Sequence, residues 1–336
     1  MTSTLSRIFF KWELKLSRRD TDRMVRPFEW GIDFISKDST TNPKSFLLDY
    51  AQRAVRESDQ YHSYPPVNDF NLDGRHLTFS SPLQTVCPVN NIVHGQFFPT
   101  DSEGKVVLVL PQWNADAQSH LSLCKMLNAF GLSALRLSLP YHDLRMPKEL
   151  TRADYMLSSN LGRTLQSIRQ AVFDARTALD WLQAQGYTRF AVLGTSVGSC
   201  VALITATHDA RISVAVQNHV SSYFADVVWR GISTRHVLEG LINKITLEDL
   251  REIWMPISPQ AYFHKLAGTG KKTLLVHALY DYTFPHDLSK NVLNEYKRLR
   301  LPHSTFALRC GHYTSGVFPF NIVLGCAMCG YIKRNL

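Results

Sequence analysis

From residue 76 onward, apolar positions fall into short runs separated by longer stretches of helical period. His76–Ser80 and Asn91–Phe98 read as antiparallel strands on either side of a proline-containing connection. Lys105–Leu110 is almost continuously apolar over strand length, the pattern of a strand buried on both faces. Gln118–Phe130 sets Leu121, Leu123, Cys124 and Leu127 at helical spacing and ends at Gly131. Ser133–Leu137 is the next strand. Leu165, Ile168, Val172, Ala175, Leu179 and Leu182 then mark a long helix that stops at Gly186. Arg189–Leu193, Ile212–Val216, Thr273–Val276 and Thr305–Leu308 continue the strands, with helical segments between them. This alternation predicts an α/β fold: a mostly parallel central sheet, right-handed crossovers and helices on both faces.

Residues 1–75 lack that rhythm. Phe9–Leu16 alternates only weakly, a mixed signal; Ser45–Arg56 fits a short helix; Tyr64–Pro66 and Val67–Asn71 read as loop. The expected organisation is an N-terminal extension over 1–75 that packs on a larger domain over 76–336. Residues 219–264 interrupt the alternation with Tyr223, Phe224, Trp229, Trp254, Met255, Tyr262 and Phe263. They read as a small cap insertion whose aromatics exclude water and line an acyl pocket. Tyr313–Ile332 has no charged residue or histidine, but Ser315, Gly316, Pro319, Asn321 and Gly325 interrupt it. A membrane-spanning helix needs about 20 predominantly apolar residues, so this stretch is expected to be a buried C-terminal helix.

Composition narrows the class. The chain has 336 residues, 45% hydrophobic and 19% charged, with 17 Gly and 15 Pro. Those are globular values, which exclude disorder, collagen-like repeats and coiled coil as the main architecture. Net charge is +9, but the excess is dispersed over Arg18-Arg19, Arg23, Arg26, Lys271-Lys272 and Lys297-Arg298. No basic motif interleaved with aromatics marks a nucleic-acid module. The six cysteines, at 87, 124, 200, 310, 326 and 329, are spaced irregularly, unlike a secreted disulfide framework. Ile8-Phe9-Phe10 is too short to be the apolar core of a signal peptide. A soluble cytoplasmic protein without a transmembrane segment is expected.

The candidate chemistry begins at Phe190–Gly198, a strand that runs into Gly194-Thr195-Ser196-Val197-Gly198 and then a helix over Ser199–Thr207. G-x-S-x-G alone arises by chance in roughly one chain of this length in ten; between a buried strand and a helix it says much more. A serine hydroxyl is a poor nucleophile until a tight strand-to-helix turn presents it to a base. Glycines at 194 and 198 let strand and helix approach closely, and the helix N-terminus aims free N–H groups at developing negative charge. An acid and then a histidine should follow in the chain. Thr273–Val276 delivers Asp281 just beyond its C-terminal end, 85 residues after Ser196, and Thr305–Leu308 delivers His312 a further 31 residues on. All three fall at the carboxyl ends of strands, where open α/β sheets gather reactive groups.

These residues resemble the α/β-hydrolase superfamily over about residues 76–336. Leu139-Pro140-Tyr141-His142, Trp254 with Pro256, and Gly311-His312-Tyr313-Thr314 resemble a less characterised esterase or lipase-like branch. The resemblance implies Ser196 as nucleophile, His312 as general base and Asp281 as the acid that orients it. It implies an oxyanion hole of main-chain N–H groups, with Val197 as one donor. The second donor usually follows an early strand, often in a His-Gly motif. Here Leu110-Pro111-Gln112-Trp113-Asn114 has Pro111 and Gln112 at those places, and the Trp113 N–H is the candidate. The expected activity is hydrolysis of a small-molecule or lipid-like carboxylic ester through an acyl-enzyme, with no metal or organic cofactor. Two alternatives stay open. The same triad could act on a peptide, thioester or lipid acyl bond. Alternatively, a non-catalytic binding protein could retain the turn but lack a working oxyanion hole.

Rival residues stand near each role. Asp287 and Asp226 compete with Asp281, and His142 and His286 with His312. His277, at the end of an apolar strand, is expected to be a satisfied core histidine. Asp116 and Arg145 read as solvated loop charges. Cys326 and Cys329 have CxxC spacing but no second pair to complete a zinc site, and Cys200 is expected to be buried in the helix after Ser196.

Overall fold

The computed structural model of the chain describes residues 4–38 and 40–336; the first three residues of the N-terminal extension, and Ser39, lie outside the described residues. The strands are β1 (Asn71–Asp73), β2 (His76–Ser80), β3 (Ile92–Phe98), β4 (Lys105–Leu110), β5 (Ser133–Leu137), β6 (Arg189–Thr195), β7 (Ile212–Asn218), β8 (Lys272–Ala278) and β9 (His303–Leu308). The helices are α1 (Thr4–Ser17), α2 (Pro43–Arg56), α3 (Ser58–Tyr61), α4 (Leu121–Ala129), α5 (Leu161–Ala184), α6 (Val197–His208), α7 (Phe224–Arg230), α8 (Arg235–Leu241), α9 (Leu247–Ile253), α10 (His286–Arg298) and α11 (Phe320–Asn335). Short 3-10 turns join several of them.

The strands form one sheet in the order β1-β2-β3-β5-β4-β6-β7-β8-β9. β1, β2 and β3 pair antiparallel, and β3 pairs antiparallel with β5. From β5 to β9 every pairing is parallel. Alternate side chains of the central strands leave the sheet on opposite faces. Val107, Val109, Ala191 and Leu193 pack with Cys124 and Leu127 of α4 and with Leu324, Met328 and Ile332 of α11. Val106, Leu108, Leu110 and Val192 face the other layer, built from α5, α6 and Leu47 of α2. Both faces are covered, so the strands read as continuous apolar runs, and each such side chain removed from water contributes about 1.5–3 kcal/mol.

Where the elements depart from the sequence reading, a local cause is visible. Phe9–Leu16, where the sequence signal is mixed, is helical. The buried positions of α1 are Glu13, Leu16 and Ser17, a spacing of three and four that a strand does not produce. Phe9 stacks on Tyr280 at 4.9 Å and meets Phe320 at 6.1 Å, which fixes α1 against the core. Asn71 belongs to a strand, not a loop: Asp73-Gly74 makes the turn into β2, with Gly74 at φ +58°. Asn91 closes a 3-10 turn rather than opening β3. Gln118–His120 stay outside α4, because the Asp116 carboxylate accepts the N–H groups of Gln118 and Ser119 and holds them in a turn. The C-terminal helix starts only after Pro319, and Ile322 and Val323 in its first turns are exposed rather than buried. No helix among the described residues is long and apolar enough to cross a membrane.

Candidate active site

The turn at Ser196 is shaped by main-chain crowding. Ser196 sits at φ 57° and ψ −119°, a conformation that non-glycine residues adopt only when their surroundings impose it. Its N–H donates to Asn218 O at 2.8 Å. A Cβ on Gly194 would lie 2.2 Å from Gly198 O, and one on Gly198 would lie 2.2 Å from Leu110 O. Both glycines are therefore required by close approach of β6, α6 and the end of β4. Val197 opens α6, and among the described residues its N–H meets no acceptor; the same holds for the Trp113 N–H.

The Trp113 loop is pinned from three sides. The indole N–H donates to Ala153 O at 3.0 Å, the Asn114 N–H donates to His142 Nε2 at 2.8 Å, and Asn114 Oδ1 accepts from Ala153 N at 2.8 Å. His142 Nδ1 lies 2.8 Å from Pro140 O. A carbonyl only accepts, so Nδ1 carries the proton and Nε2 is free to receive the Asn114 N–H. His142 is therefore neutral, and burial pushes its pKa down to about 4. It supports the Trp113 loop, and with Nε2 taken by the Asn114 N–H it is not free to act as a base. Pro111 and Gln112 leave this support untouched.

Asp281 follows β8 and is 5% exposed. Its Oδ1 accepts the N–H groups of Thr283 and Phe284, each at 2.7 Å. Its Oδ2 lies 3.2 Å from His312 Nδ1 and 2.9 Å from His219 Nδ1. Burial alone would raise its pKa, but the His312 charge and the contacts from both imidazoles outweigh burial and hold it well below the carboxylate range. Burial would conversely lower His312; the Asp281 carboxylate outweighs it and leaves the imidazole above its ordinary value. The His312 ring stacks on Phe284 at 5.4 Å.

The loop behind His312 has an unexpected support. Glu13 of α1, with no exposed surface, accepts the N–H groups of Tyr313 at 2.9 Å and Thr314 at 2.8 Å. A Cβ on Gly311 would stand 2.3 Å from Glu13 Cδ, so glycine is required there for the carboxylate to enter. Arg23 donates to the Tyr313 hydroxyl at 2.8 Å.

Ser196, Val197, Trp113, His219 and His312 all line one cavity of about 610 Å³ at the carboxyl ends of the strands, with Asp281 buried behind His312. The other candidates lie elsewhere. Asp226 pairs with Arg251, and Asp287, at the surface, pairs with Arg230, each at 2.6 Å. His286 faces His277, which is buried. Arg145 is not a solvated charge: it is fully buried, 2.8 Å from Asp174, and donates to Asn90 O and Ser138 O. Asp116 is exposed and holds its own turn. Cys200 is buried, and all six cysteines are unpaired. Of the residues expected to line a cap pocket, only Phe224 reaches the cavity; Trp254, Tyr262 and Phe263 are packed into the core. Their hydrophobicity reports burial, which sequence cannot distinguish from pocket lining.

Glu13, Asn114 and His219 were not singled out as site residues by sequence reasoning, and His142 was named only as a rival base. His219 alone carried a signal, since it directly follows the carboxyl end of β7. His219, Asp281 and His312 also present ligating atoms within 4.8 Å of one another, as a divalent cation would require. Of these three, Asp281 and His312 are the acid and the base that a serine–histidine–aspartate proton relay would use, so a cation and such a relay would compete for them.

No protein-family model matches the sequence, and neither does any curated protein. Among solved structures, the fold is similar to Pyrococcus horikoshii acylaminoacyl peptidase, with a TM-score of 0.61 and 15% identity over 80% of this chain. The chain spans only 42% of that peptidase. It is also similar to the acetyl xylan esterase of Paenibacillus sp. R4, with a TM-score of 0.58 and 17% identity, covering 90% of this chain and 98% of that one. Acetyl xylan esterase 1 from Thermoanaerobacterium sp. JW/SL YS485 gives a TM-score of 0.58 and 13% identity over 96% of this chain and 98% of the esterase. The chain has the α/β-hydrolase fold.

Proposed function

We propose that the protein is a serine hydrolase that cleaves a carboxylic ester, with Ser196 as nucleophile, His312 as general base and acid, and Asp281 as its orienting partner. The observation that carries this reading is the 3.2 Å contact of His312 Nδ1 with Asp281 Oδ2, on the cavity that Ser196 enters from a strained turn. Ser196 Oγ attacks the ester carbonyl and its proton passes to His312 Nε2. Asp281 holds the proton on Nδ1 and stabilises the imidazolium. The Val197 and Trp113 N–H groups, which meet no acceptor among the described residues, stabilise the oxyanion. Collapse expels the alcohol, which takes the proton from His312. Water, deprotonated by His312, then attacks the acyl-enzyme and releases the acid. These steps call on no metal or organic cofactor.

Residues 219–264 act in this reading as a cap, since Val220, Phe224, Val227 and Val228 wall the cavity from above. The six unpaired cysteines support a reducing compartment, the cytoplasm.

The test is labelling with a fluorophosphonate probe, native protein against Ser196→Ala, followed by a panel of p-nitrophenyl esters, a thioester and a peptide amide. Labelling that vanishes in the variant, with ester turnover exceeding amide turnover, is the expected result. An unlabelled, folded native protein would remove the hydrolase reading and leave a binding protein. Amide or thioester turnover exceeding ester turnover would keep the nucleophile and change the bond.

A further inference from the structure

The two walls of the cavity differ in chemistry. On one, Phe224, Val227 and Val228 are interleaved with Ser221, Ser233 and Thr234, and Asp20 and Arg152 stand nearby. The other is formed by α4 and α11. These helices follow β4 and β9, so both begin near the carboxyl ends of the strands, where Ser196 lies. Their first turns bring polar Ser122 and Asn321 to the cavity; beyond them the lining these two helices supply is Leu123, Met126, Ile322, Leu324, Gly325 and Met328, with no polar side chain.

Gly325 shapes this limb. A Cβ there would lie 2.8 Å from Met126 Sδ and 3.1 Å from its Cε, so the missing side chain is the room into which the Met126 thioether reaches. Thioether chains are unbranched and adaptable, and they follow flexible apolar ligands as they repack. From Asn321 to Met328 the helix advances about 10 Å at ~1.5 Å per residue, roughly the length of an extended chain of eight carbons.

We propose that the limb between α4 and α11 is an acyl-chain site, which makes the substrate an ester of an unbranched, medium-chain fatty acid. The proposal rests on the serine-hydrolase reading of the same cavity. The carbonyl sits at Ser196 and the acyl chain runs away from it past Leu123 and Leu324 towards Met126 and Met328. The alcohol lies against the opposite wall, where hydroxyls and Arg152 supply polar contacts. Gly325 sets the depth of the limb.

The experiment is kcat/KM across p-nitrophenyl acetate, butyrate, octanoate and palmitate for the native protein, Gly325→Leu and Met126→Ala, with thermal unfolding as the control for folding. In the native protein kcat/KM rises about fourfold for each methylene that enters the limb, peaks near octanoate and falls at palmitate. Gly325→Leu lowers the octanoate-to-butyrate ratio about twentyfold, the loss of two or three methylene sites. Met126→Ala moves the optimum the other way, to longer chains. A native profile that is flat or highest on acetate overturns the acyl site, as does an optimum that neither substitution moves. Either result, from a preparation of which a separate sample labels with fluorophosphonate, leaves the serine hydrolase standing. Absence of labelling in folded native protein removes the hydrolase itself.

Discussion

The turn that carries Ser196 and the loop that carries His312 face the same cavity but are held by different means. Around Ser196 the constraint is main chain on main chain: Gly194 against Gly198, Gly198 against Leu110, and Ser196 N–H on Asn218 O. Around His312 it is side chain on main chain, with Glu13 taking the Tyr313 and Thr314 N–H groups from the opposite end of the sequence. The first kind of support leaves a local signature, because only glycine fits where backbones nearly touch. The second leaves only Gly311, which makes room for the carboxylate, because nothing in a helix sequence shows which N–H groups its carboxylate meets. If Ser196 is the nucleophile and His312 its base, as proposed, positioning the two is a separate structural problem for each, and they fail in different ways.

Substitutions can drive the two apart. The largest effect is expected from Ser196→Ala, which removes the nucleophile and lowers ester turnover by about 10⁴-fold or more with little change in thermal unfolding. Gly198→Ala attacks the support instead. A methyl group 2.2 Å from Leu110 O forces β4 and α6 apart, at a cost of about 3 kcal/mol or more, read as a lowered unfolding midpoint. Glu13→Ala frees the His312 loop and lowers kcat about 100-fold, the scale of a misplacement of about 1 Å, while KM changes little. Glu13→Gln keeps an acceptor and loses less activity. Because the Glu13 charge helps raise the His312 pKa, Gln also moves the acid limb of kcat/KM to lower pH. Unaltered pH profiles in Glu13→Gln, or unaltered kcat in Glu13→Ala, would erase the contrast between the two loops.

The smallest effect is the most specific. His312 must be neutral to accept the serine proton, and its pKa lies above the ordinary 6.5, so kcat/KM is half-maximal above pH 6.5 and falls as the medium is acidified. Stability runs the other way. A raised folded-state pKa contributes stability that is fully present below the unfolded value and is lost as pH rises through the folded one. Across that window activity climbs while this contribution to stability declines. Thermal unfolding at matched pH values checks it: a contribution of the same sign as activity contradicts the assignment of His312. The groups that face the imidazole are Asp281, His219 and Glu13, and His142 stays neutral down to about pH 4. The Trp113 loop therefore adds no ionisation of its own to the profile.

The legible part of the sequence was the part governed by short-range rules. Buried parallel strands are apolar runs, and the boundaries of β4 and β5 follow directly from them; those of β2, an antiparallel strand, follow from its alternation. Ser196, Asp281 and His312 stand out because each directly follows a strand in chain order, and the structure places the first and third on one cavity with the second behind. α1 was obscured because an alternating run of Phe, Lys, Trp, Glu and Leu fits a strand as well as a helix until its partner surface is known. The cap aromatics were misread as lining because burial against protein and burial against a ligand select the same side chains. His142 looked like a spare base; its role follows from two hydrogen bonds, to Pro140 and Asn114, that no sequence pattern encodes.

The hydrogen bond from Tyr313 to Glu13 spans 300 residues, and this gives the protein a timetable. At about 5–20 residues per second, the ribosome delivers α1 some 15 to 60 seconds before the loop that needs it. Throughout that interval Glu13 has no Tyr313 to receive, and the nascent sheet from β2 to β8 can form without it. The loop behind His312 is seated late, when α1 closes on a segment made about 300 residues after it. A chain synthesised only as far as β8 can fold the Ser196 turn and still lack the loop that carries His312, and under the proposed mechanism it is inert.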